Sequence, residues 1–320
     1  MSAHNTLHGL LFQATSAEYI ALCLQAYQLA RHALLTRLGT GTFRHPAVIF
    51  DLDETVLDNS AFQAWQLAAG TNYDDSTWNE WCNAAEAEAV PGALEFIRYV
   101  RDRGARPFFV TSRSNGVREA TLKNLAALGV LSSAEFDDEL AWMADADPAV
   151  VAQNTRLFMK GMSAVKTPSP SGGKEWALQN KFDQRTWIAG GRGYEIILSV
   201  GDNLADYAEY YGQVKGQPAT LADRRAAVLQ DAALFGRDFI LIPNATYGGW
   251  LRAFEGNQLG AADELARTPA PVRQGLVEPT GPFTYANPKA ATPGAAAELS
   301  EPVSLGPKFD EKWVRRWAKK

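Results

Sequence analysis

Apolar side chains recur every three or four positions at Tyr19, Leu22, Ala26, Leu29 and Ala33, a spacing that predicts one packed helix over about residues 16–37. The T-x-x-E run Thr15-Ser16-Ala17-Glu18 predicts a capping box at its start. The pattern then changes. Ala47-Val48-Ile49-Phe50 is apolar without alternation, which suits a short strand buried on both faces of a parallel sheet. Phe108-Phe109-Val110, Leu157-Phe158-Met159, residues 194–200 and Phe239-Ile240-Leu241-Ile242 repeat that signature. Helices are expected between them: over about 91–103 with Pro91 in the first turn and Gly104 closing it, over about 115–128 ended by Gly129, and around 176–186.

Strands alternating with helices predict an α/β fold, a Rossmann-like parallel sheet with helices on both faces. Residues 60–90 carry Trp65, Tyr73, Trp78 and Trp81 among polar residues and predict a small helical cap. Residues 163–175 are a polar Ser/Pro/Gly loop, and Gly190-Gly191-Arg192-Gly193 is another loop, with no strand close enough before it for a dinucleotide fingerprint. Eight of the 16 prolines fall between Pro269 and Pro307, which favours an extended, poorly packed segment. The expected organisation is therefore a catalytic-size domain over 1–260, with core about 10–59 and 91–260 and cap about 60–90, followed by a tail over 261–320. The tail ends in the stripe Phe309, Trp313 and Trp317, expected to dock on the body.

Composition narrows the chemistry. The chain has 320 residues, 46% apolar and 21% charged, the profile of a soluble globule with a full core. Its net charge of −5 offers no basic surplus for nucleic acid. No apolar run approaches the ~18 residues of a membrane span. Cys23 and Cys82 are too few for a disulfide framework and are expected to be buried thiols. The histidines are His4, His8, His32 and His45, all before the first strand. The first Lys or Arg is Arg31, so the start lacks the pattern of a signal peptide and predicts a cytoplasmic protein.

Ligands of open α/β sheets bind beyond the carboxyl ends of the strands. Three strand ends here finish in polar clusters: Asp51/Asp53, Thr111/Ser112/Arg113 and Asp202/Asp206. A carboxylate-rich group without histidine or cysteine suits a hard divalent cation, Mg²⁺ above all, and Mg²⁺ suits a phosphate substrate. In D-x-D the two side chains point the same way on extended backbone, so one carboxylate can attack phosphorus while the other holds a proton for the leaving oxygen. Rival phosphatase chemistries lack their residues. Arg44-His45-Pro46 precedes a strand rather than following one, neither cysteine has an arginine six residues on, and zinc or di-iron sites draw on several histidines.

Val48-Ile49-Phe50-Asp51-Leu52-Asp53-Glu54-Thr55-Val56-Leu57-Asp58-Asn59 resembles the first motif of the haloacid-dehalogenase (HAD) superfamily phosphatases. Its D-L-D-E-T-V-L-D-N form is similar to that of the class C acid phosphatases, which include bacterial outer-membrane lipoprotein 5′-nucleotidases. Phe109-Val110-Thr111-Ser112-Arg113 resembles the second motif and Gly201-Asp202-Asn203-Leu204-Ala205-Asp206 the fourth. Residues 222–225 and 241–250 also resemble stretches of that family. The resemblance implies a HAD-like fold and a set of roles: Asp51 as nucleophile, Asp53 as general acid and then base, Thr111 and the backbone after it, with Ser112, around the phosphoryl group. It implies Mg²⁺ held by Asp51, the Asp53 carbonyl and Asp202, with Asp206 nearby. It also implies a third-motif lysine, for which Lys181 leads and Lys174 is the rival. By the same resemblance Trp78, Tyr247 and Tyr73 would stack the base of a nucleoside monophosphate. Family members are usually exported, which sets a periplasmic, outer-membrane or secreted location against the cytoplasmic one.

The expected activity is thus a Mg²⁺-dependent acid phosphomonoesterase working through an aspartyl phosphate on 5′-nucleotides, with an optimum at mildly acidic pH because Asp53 must start protonated. Other readings stay open: a D-L-D-E-T protein phosphatase, phosphotransfer to an alcohol, or a non-catalytic binding protein on the same core. Individual residues keep plainer alternatives too. Thr111 and Ser112 also fit as caps of the next helix, Lys181 as a solvated surface lysine, and Arg113 as a contact to phosphate or to a carboxylate.

Overall fold

The computed structural model describes residues 7–144, 148–164 and 176–256. Five parallel strands form the central sheet: β1 (Pro46–Phe50), β2 (Arg106–Ser114), β3 (Leu157–Lys160), β4 (Glu195–Gly201) and β5 (Phe239–Leu241). Their order is β5-β4-β1-β2-β3. The apolar runs become the interior because both faces of the sheet are covered. Ala47, Val48, Ile49 and Phe50 of β1, and Phe108, Phe109 and Val110 of β2, are all buried. The chain runs outward from β1 through β2 to β3, then crosses back to place β4 on the other side of β1. That reversal leaves a crevice beyond the carboxyl ends of β1 and β4. Phe50 pairs with Val200, and the Asp51 N–H extends the ladder by donating to the Val200 carbonyl at 2.9 Å. Asp51 and Asp202 therefore leave adjacent strands side by side.

The amino-terminal helix differs from its expected form. Two helices, α1 (Leu7–Thr15) and α2 (Ala17–Thr40), meet at Ser16, which is extended and accepts the Tyr19 N–H. Thr15 is not the cap: it closes α1, and its hydroxyl donates to the Leu11 carbonyl one turn back. One face of α2, Tyr19, Cys23, Tyr27, Ala30, Ala33 and Leu34, enters the core.

Between β1 and α5 (Ala93–Asp102) the cap is inserted, as α3 (Ser60–Ala69) and α4 (Asp75–Ala84). A two-residue antiparallel pairing, Leu57–Asp58 with Glu88–Ala89, closes its base. The tryptophans explain why so small an insertion folds. Phe62 stacks on Trp65 and Trp81 and meets Trp78 edge-on, with centroids 5.2 Å apart.

Residues 176–186 are only partly helical, contrary to expectation. Trp176–Leu178 pairs antiparallel with Met162–Ala164, and the helix (Lys181–Thr186) starts only after Asn180, whose side chain accepts the Asp183 N–H. The loop expected at Gly190 is a π-helical turn over Trp187–Gly191. Among the described residues four further α-helices were not expected: Pro148–Asn154, Gly249–Gly256, and two whose start signals are in the sequence, Ser133–Met143, with a capping box from Ser132 and Glu135, and Leu221–Gln230, with one from Thr220 and Asp223. Among the described residues no helix is long and apolar enough to cross a membrane. Both cysteines are buried and free. Lys174, the 261–320 tail and its Phe309/Trp313/Trp317 stripe lie outside the described residues.

Candidate active site

The crevice is built from the loop after β1. A tight turn brings the N–H groups of Thr55, Val56 and Leu57 onto the Leu52 carbonyl, and Glu54 takes a left-handed conformation (φ 59°) to make it. This turn exposes Asp51 and Asp53 to different neighbours.

Asp51 faces acids and a lysine. Carboxylate oxygens of Asp51, Asp202 and Asp206 all lie within 4.8 Å of one another. The Lys181 Nζ sits 2.5 Å from Asp51 Oδ1 and 2.7 Å from Asp206 Oδ1. Asp206 is fixed by accepting the Asn203 N–H at 2.9 Å, and Asp202 by the Asn244 amide, which donates at 2.7 Å. Gly201 permits this approach: a Cβ there would stand 2.4 Å from Asp206 Oδ2. Burial raises the Asp51 carboxyl well above its usual range; Lys181 pulls it down, and Asp206 and Asp202 push it further up. Burial and the neighbouring Asp206 push Asp202 up to about 8. Burial disfavours the Lys181 cation, but Asp206 and Asp51 outweigh it and hold the ammonium above its ordinary value.

Asp53 faces an arginine. Arg113, on β2 and almost wholly buried, donates from Nη2 to Asp53 Oδ1 at 2.7 Å and from Nε at 2.9 Å. Asn59 donates to the same oxygen at 3.0 Å, and the Thr111 hydroxyl reaches Asp53 Oδ2 at 3.4 Å. Asn59 is held in turn by the Trp81 indole N–H at 2.8 Å, so the cap's buried tryptophan braces the acid's partner. The Arg113 guanidinium also lies over the Trp78 ring, 5.5 Å from its centroid.

Behind these sits Glu54, fully buried. It accepts the Asn59 N–H at 2.9 Å and a close hydrogen bond from the Tyr247 hydroxyl, which ties the 244–250 segment to the first loop. Burial raises the Glu54 carboxyl well above its usual value, with Asp53 and Asp58 adding to it.

A family model, HAD superfamily, subfamily IIIB (Acid phosphatase), matches residues 3–250. The chain belongs to this family. The class C acid phosphatase from Bacillus anthracis has a similar structure, with a TM-score of 0.64 and 27% identity over 86% of this chain and 98% of that one. The same enzyme with tungstate bound matches equally well. Acid phosphatase 1 of Solanum lycopersicum is 31% identical over 81 residues, 25% of this chain and 32% of that protein. Vegetative storage protein 1 of Arabidopsis thaliana is 24% identical over 162 residues, 50% of this chain and 48% of that protein. The chain thus spans from a third to a half of the length of these curated relatives.

In this acid phosphatase family member, Asp51, Asp53, Thr111, Lys181, Asp202 and Asp206 share one crevice. Others stand differently. Ser112 is exposed on the alternate side of β2, and the hydroxyl that caps the following turn belongs to Ser114, accepting the Gly116 N–H at 3.2 Å. Tyr73 is largely exposed on the cap, its hydroxyl donating to Asp75 at 2.9 Å. Trp78 is half-buried between Tyr73 and Phe62. Tyr247 is half-buried, its hydroxyl spent on Glu54. Of the two contacts left open for Arg113, the structure shows the one to a carboxylate, that of Asp53; three further residues that organise the site, Asn59 and Glu54 behind Asp53 and Asn244 on Asp202, were not singled out from sequence with these roles. All lie inside stretches that resemble the family, but nothing in a linear sequence pairs residue 113 with residue 53.

The donor set suits a hard cation. Asp51, Asp202 and Asp206 offer only oxygen and converge in the crevice, where the single Lys181 ammonium offsets only part of their charge and the same proximity would let them share a dication.

Proposed function

We propose that the chain is a Mg²⁺-dependent acid phosphomonoesterase that acts on nucleoside 5′-monophosphates through an aspartyl phosphate on Asp51. The observation that carries this reading is the pairing of two differently furnished carboxylates at one strand end: Asp51 among carboxylates and Lys181, Asp53 against Arg113.

The steps follow from those neighbours. The Asp51 carboxylate forms a bond to phosphorus as the bond to the leaving oxygen breaks. The Asp53 carboxyl gives its proton to that oxygen, and the alcohol departs. Asp53, now an anion held by the Arg113 fork, takes a proton from water as the water oxygen attacks phosphorus, which frees inorganic phosphate and restores Asp51. Lys181, beside Asp51, offsets charge on the phosphoryl oxygens. The Asp51, Asp202 and Asp206 carboxylates and the Asp53 carbonyl would hold Mg²⁺, which when bound would neutralise those oxygens further. The cap supplies substrate choice: the exposed Tyr73 ring next to Trp78 offers a face for a base, and stacking of that kind contributes about 1–3 kcal/mol.

The test is a panel of nucleoside monophosphates, sugar phosphates and phosphopeptides, each with and without Mg²⁺. The reading expects Mg²⁺-dependent release of phosphate from the nucleotides in preference to the others. Preference for the phosphopeptides overturns the substrate, and turnover retained by the Asp51→Asn variant overturns the covalent step.

A further inference from the structure

At the opposite end of the sheet from the crevice, three arginines converge. Arg106 opens β2, Arg156 directly precedes β3, and Arg192 lies just before β4, so all three sit at the amino ends of the strands. They line a cleft of about 430 Å³ together with Asp138, Gln153 and Tyr194. Arg106 and Arg192 both lie over the Tyr194 ring, at 5.7 and 5.4 Å, and over Phe108, at 5.6 and 4.9 Å. Both also reach the same carbonyl oxygen, that of Asn154, at 3.4 Å, and Arg192 donates to the Thr155 carbonyl at 2.5 Å.

Two guanidinium groups sharing one oxygen and one pair of rings repel each other unless an anion stands between or beside them. Among the described residues, neither makes an ion pair with a carboxylate within 4 Å; the nearby Glu135 is already taken by Arg156, at 3.2 Å, and Arg101. Two of their N–H donors, Arg106 Nε and Arg156 Nη1, are closed off from solvent without a hydrogen-bond partner, so the positive charge around the cleft is incompletely compensated from within. Burial and the Arg106 cation beside it bring the Arg192 guanidinium down to about 10. Stacked, planar arginines lining a cleft without a paired carboxylate on Arg106 or Arg192 are what recognition of a phosphate-type oxyanion uses.

We propose that this cleft, formed by Arg106, Arg156 and Arg192, is a second binding site, for a small phosphate-class dianion, remote from the Asp51 crevice. The proposal is independent of the phosphatase reading. A free phosphate group is thereby sensed at the amino ends of the same strands whose carboxyl ends carry the acids. Among the described residues Asp138 is the carboxylate that lines the cleft, and both it and Gln153 are exposed, so their charge can be altered without touching the core.

The experiment titrates the full chain with inorganic phosphate by calorimetry, alongside the inhibition of turnover by phosphate, for the wild type, Asp138→Asn and Gln153→Glu. The expected result is one binding step beyond that which competes with substrate. That step tightens about 3–10-fold in Asp138→Asn and weakens by a similar factor in Gln153→Glu, while the competitive inhibition constant stays the same. In strong salt the three proteins converge. A single binding step, or a second step of equal affinity in all three proteins, overturns the proposal and leaves the arginines as caps on the carbonyls of Asn154 and Thr155.

Discussion

The Asp53–Arg113 pair can be measured as an energy, and doing so tests how the crevice divides labour between its two leading carboxylates. The perturbation is a double-mutant cycle: Arg113→Met, Asp53→Asn and both together. Arg113 has a side chain 1% exposed and Asp53 one 15% exposed, with contacts of 2.7 and 2.9 Å. Two unit charges at 4 Å attract by about 4 kcal/mol at the effective dielectric of a partly wet site. Desolvation of the guanidinium opposes that, and removing one partner of a buried pair typically costs about 3–5 kcal/mol because the other is stranded. The residual exposure of Asp53 discounts the figure toward the lower end. Arg113→Met additionally loses a 3.4 Å contact to the Thr121 hydroxyl and the Trp78 face, the latter about 1 kcal/mol.

Each single variant is therefore expected to lose about 3 kcal/mol of unfolding free energy, and the double variant much less than their sum, with a coupling of about 2 kcal/mol. The assay is urea unfolding at constant pH, ionic strength and Mg²⁺, with coincident fluorescence and circular dichroism curves to establish two-state behaviour. A coupling under about 0.5 kcal/mol would show that the two residues do not sense each other, and the assignment of Arg113 as the group that holds Asp53 would fail. Arg113→Lys separates charge from geometry: it keeps the cation but loses the fork, so it should recover only part of the lost stability.

Asp51→Asn should retain the fold, since it removes one anion from a crowded group of three, and should abolish phosphate release; a chromogenic ester and circular dichroism read the two effects. Metal stabilisation should grow with pH. The folded, metal-free chain keeps a proton on Asp202 up to about pH 8, while the unfolded carboxyl loses it near 3.8, so this group's contribution to stability falls as pH rises between those values. Mg²⁺ bound at this cluster would compete with that proton, so its increment in Tm should be larger at pH 8 than at pH 5; an increment independent of pH would count against the carboxylate cluster as its site. Gly201→Ala places a methyl group 2.4 Å from Asp206 Oδ2 and should cost about 1–3 kcal/mol in urea unfolding and raise the Mg²⁺ concentration needed for half-maximal activity.

Much of the scaffold was legible because it rests on local signals. Buried parallel strands write themselves as unbroken apolar runs, and all five runs became strands of one sheet. The carboxylates at their ends followed from the rule that such sheets bind at those ends. Where the reading slipped, a local signal had two equally good local answers. Thr15 and Ser16 both cap well; the choice fell to Ser16 because α1 extends the helix through Thr15, which no pattern around residue 16 announces. Trp176 and Leu178 fit a strand or a helix over so few residues, and the hairpin with Met162–Ala164 decided it.

The site's second tier was illegible for a different reason. Arg113 meets Asp53 across 60 positions of chain, Asn244 meets Asp202 across 42, and Tyr247 meets Glu54 across 193. In each case a motif residue is held by a partner that the fold, not the local sequence, brings to it. The sheet order explains the deliveries. With β1 at the centre, β2 on one side brings Arg113 to Asp53, and β4 on the other brings Asp202 to Asp51. The two carboxylates of D-x-D are thereby sent to opposite neighbours, an arginine on one flank and acids with Lys181 on the other. A D-x-D pair gains different chemistry for its two members only when such unlike strands lie on either side, so the division of roles belongs to the topology as much as to the motif.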